Sequence, residues 1–200
     1  DLVTLISNLL DNAIEAAGAA AEKRLKERGA EYRIHYTNAP KHATEIAREL
    51  SKTSDIIVAL GGDGTINEVF NGIDVDKVKL GLIPCGSGND FAATAGIPTD
   101  PEKALDLILH GEAKPTDYMN CDGVRGLNII GTGIDVEILK RCRRIRFPKG
   151  KLQYLVSLIV SLIRFKFYTF HIEENGKTET KRALIACVGN GTRFGGGIRM

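Results

Sequence analysis

The sequence has few cysteines and histidines, and they are scattered along the chain. The four cysteines form no CxxC pair, and the four histidines do not cluster. This pattern excludes the usual zinc-binding spacings and a disulfide framework. It is typical of a cytosolic protein with reduced thiols. The cysteines are Cys85, Cys121, Cys142 and Cys187.

Neither a strong charge of one sign nor a long apolar run is present. A formal net charge of +2 and a hydrophobic fraction of 43% exclude general disorder. The most apolar run, residues 152–163, is flanked by Lys151 and Arg164. It is shorter than the roughly 20 residues that a bilayer-spanning helix needs. We therefore expect a soluble, cytoplasmic protein.

The two commonest nucleotide-binding signatures are also missing. The chain contains no GxxxxGK[ST] segment, which excludes a P-loop NTPase, and no GxGxxG segment, which disfavours a Rossmann dehydrogenase. Without a P-loop lysine, a bound phosphate would have to be neutralised mostly by backbone dipoles and Mg²⁺.

Short apolar runs alternate with helical segments over the first half of the chain. The β-branched runs at 56–60 and 80–84 predict strands buried on both faces, as in a parallel sheet. After Asp117 the pattern changes to glycine-punctuated strands, two of which flank an Asn175-Gly176 hairpin turn. We predict an α/β fold with an open, mostly parallel sheet, followed by an incomplete β-sandwich.

These patterns divide the chain into three predicted parts. The apolar spacing at the N-terminus predicts helix over residues 1–28, interrupted at Gly18. Within it, residues 1–17 form an atypical N-terminal helix. Residues 18–117 form the nucleotide-binding domain, and residues 118–200 begin the β-rich domain.

The first glycine-rich loop directly follows the strand at 56–60. Glycines allow backbone N–H groups to approach phosphate oxygens without clashes from Cβ atoms. Thr65 could cap the following helix, whose positive end favours anions. Asp63 places a carboxylate where the Mg²⁺ of a bound nucleotide would lie. The loop comprises Gly61, Gly62, Asp63, Gly64 and Thr65.

The second glycine-rich loop follows the next strand and has the same composition. Gly86 and Gly88 flank Ser87, and Asn89 and Asp90 follow at a helix start. Asn89 can hydrogen-bond a nucleotide, and Asp90 can cap the helix or help to hold a metal. Because neighbouring parallel strands end at one edge of a sheet, we expect both loops to lie there, in the usual ligand crevice.

With these two loops the sequence resembles the diacylglycerol-kinase-like soluble lipid kinases of bacteria. The matching blocks are residues 61–69 and 82–92, with further matches at 128–135 and 189–197. The resemblance implies a cleft between an α/β domain and a β-sandwich. It also implies ATP as cofactor and transfer of its γ-phosphoryl group to the hydroxyl of diacylglycerol or a related lipid. NAD kinases share only the first block, and NAD kinase is the alternative enzyme.

The resemblance also implies roles for individual residues. Gly61 to Thr65 would hold phosphate, with Asn67 and Glu68 in the same motif and Asn89 in the partner loop. Asp63, Asp90 and Asp117 would match the family's acidic, water-bridged Mg²⁺ network. The carboxylate that deprotonates the lipid hydroxyl would lie beyond the point matching Met200, so no general base is named.

The N-terminus departs from that family. The first apolar strand and the Asn-Pro loop of that family are both absent here, and residues 8–16 instead resemble the N-box of sensor histidine kinases. No other histidine-kinase motif follows, which favours an ordinary amphipathic helix or a segment foreign to the protein. The sheet is then expected to lack a central strand, which would put the folding and activity of this chain in doubt.

A basic segment extends from Lys140 to Lys166, with nine basic residues and no acidic one around the apolar run. Such a segment suits a lipid substrate at an anionic membrane surface, to which the protein would bind peripherally. A solvated basic face is the equal alternative. No nucleic-acid recognition motif is present. A homodimer is left open, as is a non-catalytic fragment that only binds nucleotide or membrane.

Overall fold

The computed structural model describes residues 3–8, 12–144, 151–163 and 167–199. Contacts divide the chain into two compact units, one of Asp1–Asn128 with Asn190–Met200 and one of Ile129–Gly189. The first is an α/β structure on a parallel sheet, and the second is rich in antiparallel strands. The predicted fold class is therefore confirmed.

A four-stranded, fully parallel sheet forms the centre of the first unit. Its strands lie in the order β2-β1-β3-β4, so the N-terminal strand is an inner one. The sheet is built from β1 (Val3–Asn8), β2 (Tyr32–Thr37), β3 (Ile56–Gly61) and β4 (Lys79–Pro84).

The predicted helix over residues 1–28 is wrong for its first part. Val3–Asn8 is strand β1, and helix α1 covers Asn12–Glu27. Val3, Leu5 and Ile6 are all buried, because β1 is covered on both faces. A strand that is apolar on both faces has no clean alternation and can imitate helical spacing. The sheet has no gap, since β1 supplies the strand expected to be missing.

Helices cover both faces of this sheet. Along β3, Ile57 and Ala59 face one core cluster, whereas Val58 and Leu60 face the other. The first cluster contains α2 (His42–Leu50) and α3 (Asp63–Gly72), and the second contains α1 and α5 (Pro101–His110). Burying a large aliphatic side chain contributes about 1.5–3 kcal/mol, so this alternation fixes the register of β3.

Side-chain contacts fasten the outer elements of the first unit. Arg24 on α1 forms an ion pair with Asp106 on α5, with 2.6 Å between Nη2 and Oδ2. The hydrogen bond from Arg24 is the main cause that lowers the pKa of Asp106. Asp100 caps α5, accepting a hydrogen bond from the N–H of Lys103 at 3.0 Å.

Short elements complete the first unit. Helix α4 covers Asp90–Ala95, and β5 (Met119–Cys121) pairs with β6 (Val124–Gly126). Asn71 of α3 holds β6, accepting from the N–H of Arg125 and donating to its carbonyl oxygen, both at 2.8 Å.

In its described residues, the second unit contains two antiparallel strand pairs and two helices that contact each other. The predicted Asn175-Gly176 turn joins two of these strands, and both residues have positive φ angles of 51° and 75°. None of the helices in the described ranges is long and apolar enough to cross a membrane. The elements are β7 (Ile129–Gly133), α6 (Ile134–Arg144), α7 (Lys151–Ile163), β8 (Tyr168–Glu174), β9 (Lys177–Ala183) and β10 (Ile185–Gly189).

The chain leaves the first unit later than the predicted boundary after Asp117. It leaves after Asn128 and returns at Asn190. The returning segment forms a ribbon of two short strands, β11 (Arg193–Phe194) and β12 (Ile198–Arg199). This return places a third glycine-rich segment in the first unit.

Candidate phosphate-binding site

The two glycine-rich loops lie side by side, as the sequence predicts. They follow β3 and β4, which are neighbours in the sheet, and Gly61 is paired with Pro84 at the strand ends. One further hydrogen bond continues the ladder into the loops, from the N–H of Cys85 to the carbonyl oxygen of Gly61 at 2.9 Å. Both loops therefore begin at the carboxyl edge of the sheet.

The backbones of the two loops touch at a glycine pair. A methyl group placed on Gly62 would lie 2.9 Å from the Cα atom of Gly86. Any side chain at either position would push the loops apart, since real Cβ atoms do not approach so closely. The glycines are thus required by the contact between the loops.

The first loop leads directly into helix α3. The helix begins at Asp63, and its N-cap residue is Gly62, which has no side chain to accept a hydrogen bond. The predicted cap at Thr65 is therefore wrong, because Thr65 lies inside the first turn and packs over Gly61. The positive end of α3 lacks a capping side chain, which favours an anion there.

Asn89 shapes the second loop from within. It adopts a left-handed backbone conformation with φ at 55°. Its Oδ1 atom accepts from the N–H of Gly86 at 2.9 Å, and its Nδ2 atom donates to the carbonyl oxygen of Gly86 at 2.8 Å. In this structure the amide predicted to bind nucleotide thus closes the loop.

Two carboxylates lie close to Gly88. Asp63 Oδ1 accepts from the N–H of Phe91 at 3.2 Å, and Asp90 Oδ2 accepts from the N–H of Gly196 at 2.8 Å. Both Oδ2 atoms lie within 4 Å of where a side chain on Gly88 would begin. Asp90 is 7% exposed, and its Oδ1 atom has no hydrogen-bond partner among the described residues.

This pair of carboxylates fits a magnesium ion held through water. Mg²⁺ prefers oxygen ligands and usually keeps several of its waters. The unpartnered, buried Oδ1 atom of Asp90 is the kind of acceptor that such an ion or its waters would satisfy. Within the described ranges, however, no three acidic, histidine or cysteine side chains lie close enough to hold a metal together.

The remaining predicted residues lie around this centre. The side chain of Asp117 is exposed, and its carbonyl oxygen accepts from Asn190 Nδ2 at 2.6 Å. Gly64, Ser87 and Gly88 are exposed. On α3, the carbonyl oxygen of Asn67 accepts from Asn71 at 2.8 Å. That of Glu68 accepts from Thr44 on α2, also at 2.8 Å.

The residues at 190–199 are the part of the site to which sequence reasoning assigned no role. Gly195, Gly196 and Gly197 all have positive φ angles. Gly196 donates to Asp90, and its Cα atom lies 3.6 Å from the position of a Cβ on Gly88. Three consecutive glycines are a visible signal, but their partner lies 106 residues earlier in the chain.

Comparison with protein families gives two consecutive matches. Residues 10–121 match the diacylglycerol kinase catalytic domain. Residues 128–200 match the YegS C-terminal NAD kinase beta sandwich-like domain.

Individual relatives support the same assignment. A protein from Mycobacterium tuberculosis named diacylglycerol kinase is 29% identical over 98% of this chain and 67% of its own length. One of the same name from Bacillus subtilis is 35% identical over 78% of this chain and 53% of its own length. A crystal structure of a diacylglycerol kinase from Bacillus anthracis has a TM-score of 0.67 and 29% identity, covering 98% of this chain and 66% of that one. The chain thus spans about half to two thirds of these proteins.

Proposed function

This chain belongs to the diacylglycerol kinase catalytic domain family, and from that premise we propose that it acts as an ATP- and Mg²⁺-dependent lipid kinase. The acceptor would be the hydroxyl group of diacylglycerol or a related lipid. The observation that carries the proposal is the contact between Gly62 and Gly86, which joins two glycine-rich turns beside the uncapped end of α3.

Phosphoryl transfer suits such a site because it depends mainly on positioning and on charge stabilisation. Backbone N–H groups at Gly62 to Thr65 would bind the phosphate oxygens of ATP. The exposed Gly64, Ser87 and Gly88 leave room for a ligand to approach the backbone.

Magnesium would be held by Asp63 and Asp90, with Asp117 joining through water. When bound, the ion would neutralise the charge of the transferring phosphoryl group. Asp63 keeps one carboxylate oxygen on the N–H of Phe91, so the other remains for the ion or its waters. The Oδ2 atom of Asp90 likewise accepts from the N–H of Gly196, which leaves Oδ1 for the ion or its waters.

A surface of the second unit would bind the membrane that contains the lipid substrate. On α7, Leu155, Ile159 and Ile163 recur at helical spacing and are 48–77% exposed, whereas Ser157 and Ser161 are buried. An apolar stripe within a basic segment suits peripheral binding to anionic lipid on the cytoplasmic side. Of that segment, residues 145–150 and 164–166 lie outside the described residues. Nucleic acid is not proposed as a partner, and a homodimer stays an open expectation.

Labelled ATP separates the proposed activity from its enzyme alternative. The chain, and the longest natural reading frame that contains it, are incubated with γ-labelled ATP and either diacylglycerol vesicles or NAD. Label in the lipid supports the proposal. Label in NADP would favour NAD kinase, the enzyme to whose β-sandwich the second matched domain is likened.

A non-catalytic role predicts a third result. In that case both proteins bind a non-hydrolysable ATP analogue, yet neither transfers label to any acceptor. Transfer of label to an acceptor by either protein would contradict this alternative.

A further inference from the structure

The ribbon formed by β11 and β12 carries two arginines directly opposite each other. Arg193 pairs with Arg199, and Phe194 pairs with Ile198. Residues paired across an antiparallel ribbon project to the same face, with Cβ atoms about 4.5–5.5 Å apart. The side chains of both arginines therefore leave the ribbon on the same face, at neighbouring positions.

Such a pair is unfavourable unless an anion lies nearby. Like charges directly opposite each other destabilise a strand pair. Within the described parts of the chain, neither guanidinium forms an ion pair or a hydrogen bond with a carboxylate. Among the described residues, the repulsion between Arg193 and Arg199 is therefore not offset by a carboxylate.

The tip of the ribbon lies against the second glycine-rich loop. Gly196 at the tip donates to Asp90 and approaches Gly88. It is three residues from Arg193 and three from Arg199, so each arginine Cα lies within about 10 Å of its Cα. An extended arginine side chain spans much of that distance, so either side chain is long enough to contact an anion beside this loop.

Two asparagines fix the base of the ribbon. Asn128 donates from Nδ2 to the carbonyl oxygen of Arg193 at 2.7 Å. Its own carbonyl oxygen accepts from the N–H groups of Asn190 and Gly191, both at 2.8 Å. Asn190 in turn donates to the carbonyl oxygens of Asp117 and Leu127. The ribbon is thus held in place by bonds that do not involve either arginine side chain.

We propose that Arg193 and Arg199 together bind a phosphate group that lies beside the second glycine-rich loop. The inference deepens the proposed kinase function and rests on it: the ribbon would supply the positive charge that a P-loop lysine supplies in other nucleotide-binding proteins. Two guanidinium groups provide several donors in a fixed geometry that matches phosphate oxygens. The same chemistry would also accept the phosphate of an anionic lipid headgroup.

A charge-matched set of variants tests the proposal. Arg193→Gln/Arg199→Gln removes both charges from the ribbon, and Arg193→Lys/Arg199→Lys keeps them. Arg33→Gln/Arg48→Gln removes two exposed charges from β2 and α2 and serves as the control. Binding of AMPPNP with Mg²⁺, of inorganic phosphate and of phosphatidylglycerol vesicles is measured for each, and thermal unfolding confirms that each variant folds.

The proposal predicts that the glutamine pair weakens AMPPNP binding by about ten- to a hundredfold. The lysine pair should lose less, and the control should stay within about twofold of the natural chain. If the natural chain binds AMPPNP and the glutamine pair binds it equally well, the ribbon site is wrong and the kinase proposal stands.

Two further outcomes separate the possible ligands. If the natural chain ignores AMPPNP but binds the vesicles, and the glutamine pair does not, the ribbon binds a lipid headgroup and the nucleotide assignment fails. If the natural chain binds none of the three probes, the ribbon site is overturned.

Discussion

The two glycine-rich loops are alike in composition and different in construction. The first loop opens into the ten-residue helix α3, and its N-cap has no side chain. The second loop is closed by the amide of Asn89 and leads into the six-residue helix α4. In the second loop a side chain therefore takes up the N–H of Gly86, whereas no side chain caps the N–H groups that begin α3. Loops of similar glycine content can thus be built differently, according to which backbone groups the neighbouring polar side chain hydrogen-bonds.

Removing the carboxylate of Asp63 from the first loop should have the largest effect of the changes that test this comparison of the two loops. We expect Asp63→Ala to reduce lipid phosphorylation at least about a hundredfold, because positioned charge dominates phosphoryl transfer. Asp63→Asn keeps an oxygen that can accept from the N–H of Phe91. This variant should be equally inactive, and its thermal unfolding midpoint should equal that of the natural chain. Full activity in either variant would show that this carboxylate holds no metal.

Disrupting the contact between Gly62 and Gly86 should have the second-largest effect. Gly62→Ala places a methyl group against Gly86, and we expect it to cost about 1–3 kcal/mol of folding stability and to weaken binding of ATP analogues. For folding stability, Gly64→Ala is the matched control, because no atom lies within 4 Å of its new methyl group. Alanine inside a helix should leave the free energy of unfolding equal or higher. Equal stability in both variants would contradict the close approach.

The side-chain closure of the second loop can be tested separately from its backbone conformation. Asn89→Ala leaves the polar groups of Gly86 without their partners and also strains a left-handed position. Asn89→Gly removes the partners without the strain. Urea unfolding should show a loss of about 1–2 kcal/mol for the glycine variant and more for alanine. If the glycine variant is as stable as the natural chain, the amide does not close the loop.

The ion pair between α1 and α5, which belongs to neither loop, should give the smallest effect and serves as a baseline. Arg24 lowers the pKa of Asp106, so this pair stabilises the fold above the ordinary aspartate pKa of about 3.9. That contribution falls as the pH drops through the lowered, folded-state pKa. The urea midpoint of Arg24→Gln should therefore lie below that of the natural chain at pH 6 and approach it toward pH 2–3. A gap that is independent of pH would exclude this ion pair as its cause.

How far the fold follows from the sequence depends on how local each signal is. Strand β3 and its loop are visible because an apolar run and three glycines are adjacent in the chain. Strand β1 is not visible, since burial on both faces removes the alternation that marks a strand. Asn89 is visible in the sequence as a polar residue beside a turn. Its amide could hydrogen-bond either the backbone or a ligand, and only the structure shows that it bonds the backbone of Gly86.

The returning ribbon is the clearest case in which local patterns fail. The bond between Gly196 and Asp90 joins residues 106 positions apart, and no periodicity in either segment indicates it. The glycines at 195–197 signal an unusual backbone but not its neighbour. The boundary after Asn128 is hidden for the same reason, because the chain leaves the first unit and comes back.

Amide hydrogen exchange at the two loops, with and without AMPPNP and Mg²⁺, would decide whether together they bind a triphosphate. We predict slower exchange at Gly62 to Thr65 and at Gly86 to Asn89 when the nucleotide is present, with Asp63→Asn showing less protection. Unchanged exchange at both loops under saturating nucleotide, or protection confined to another part of the chain, would contradict a phosphate site between these glycines.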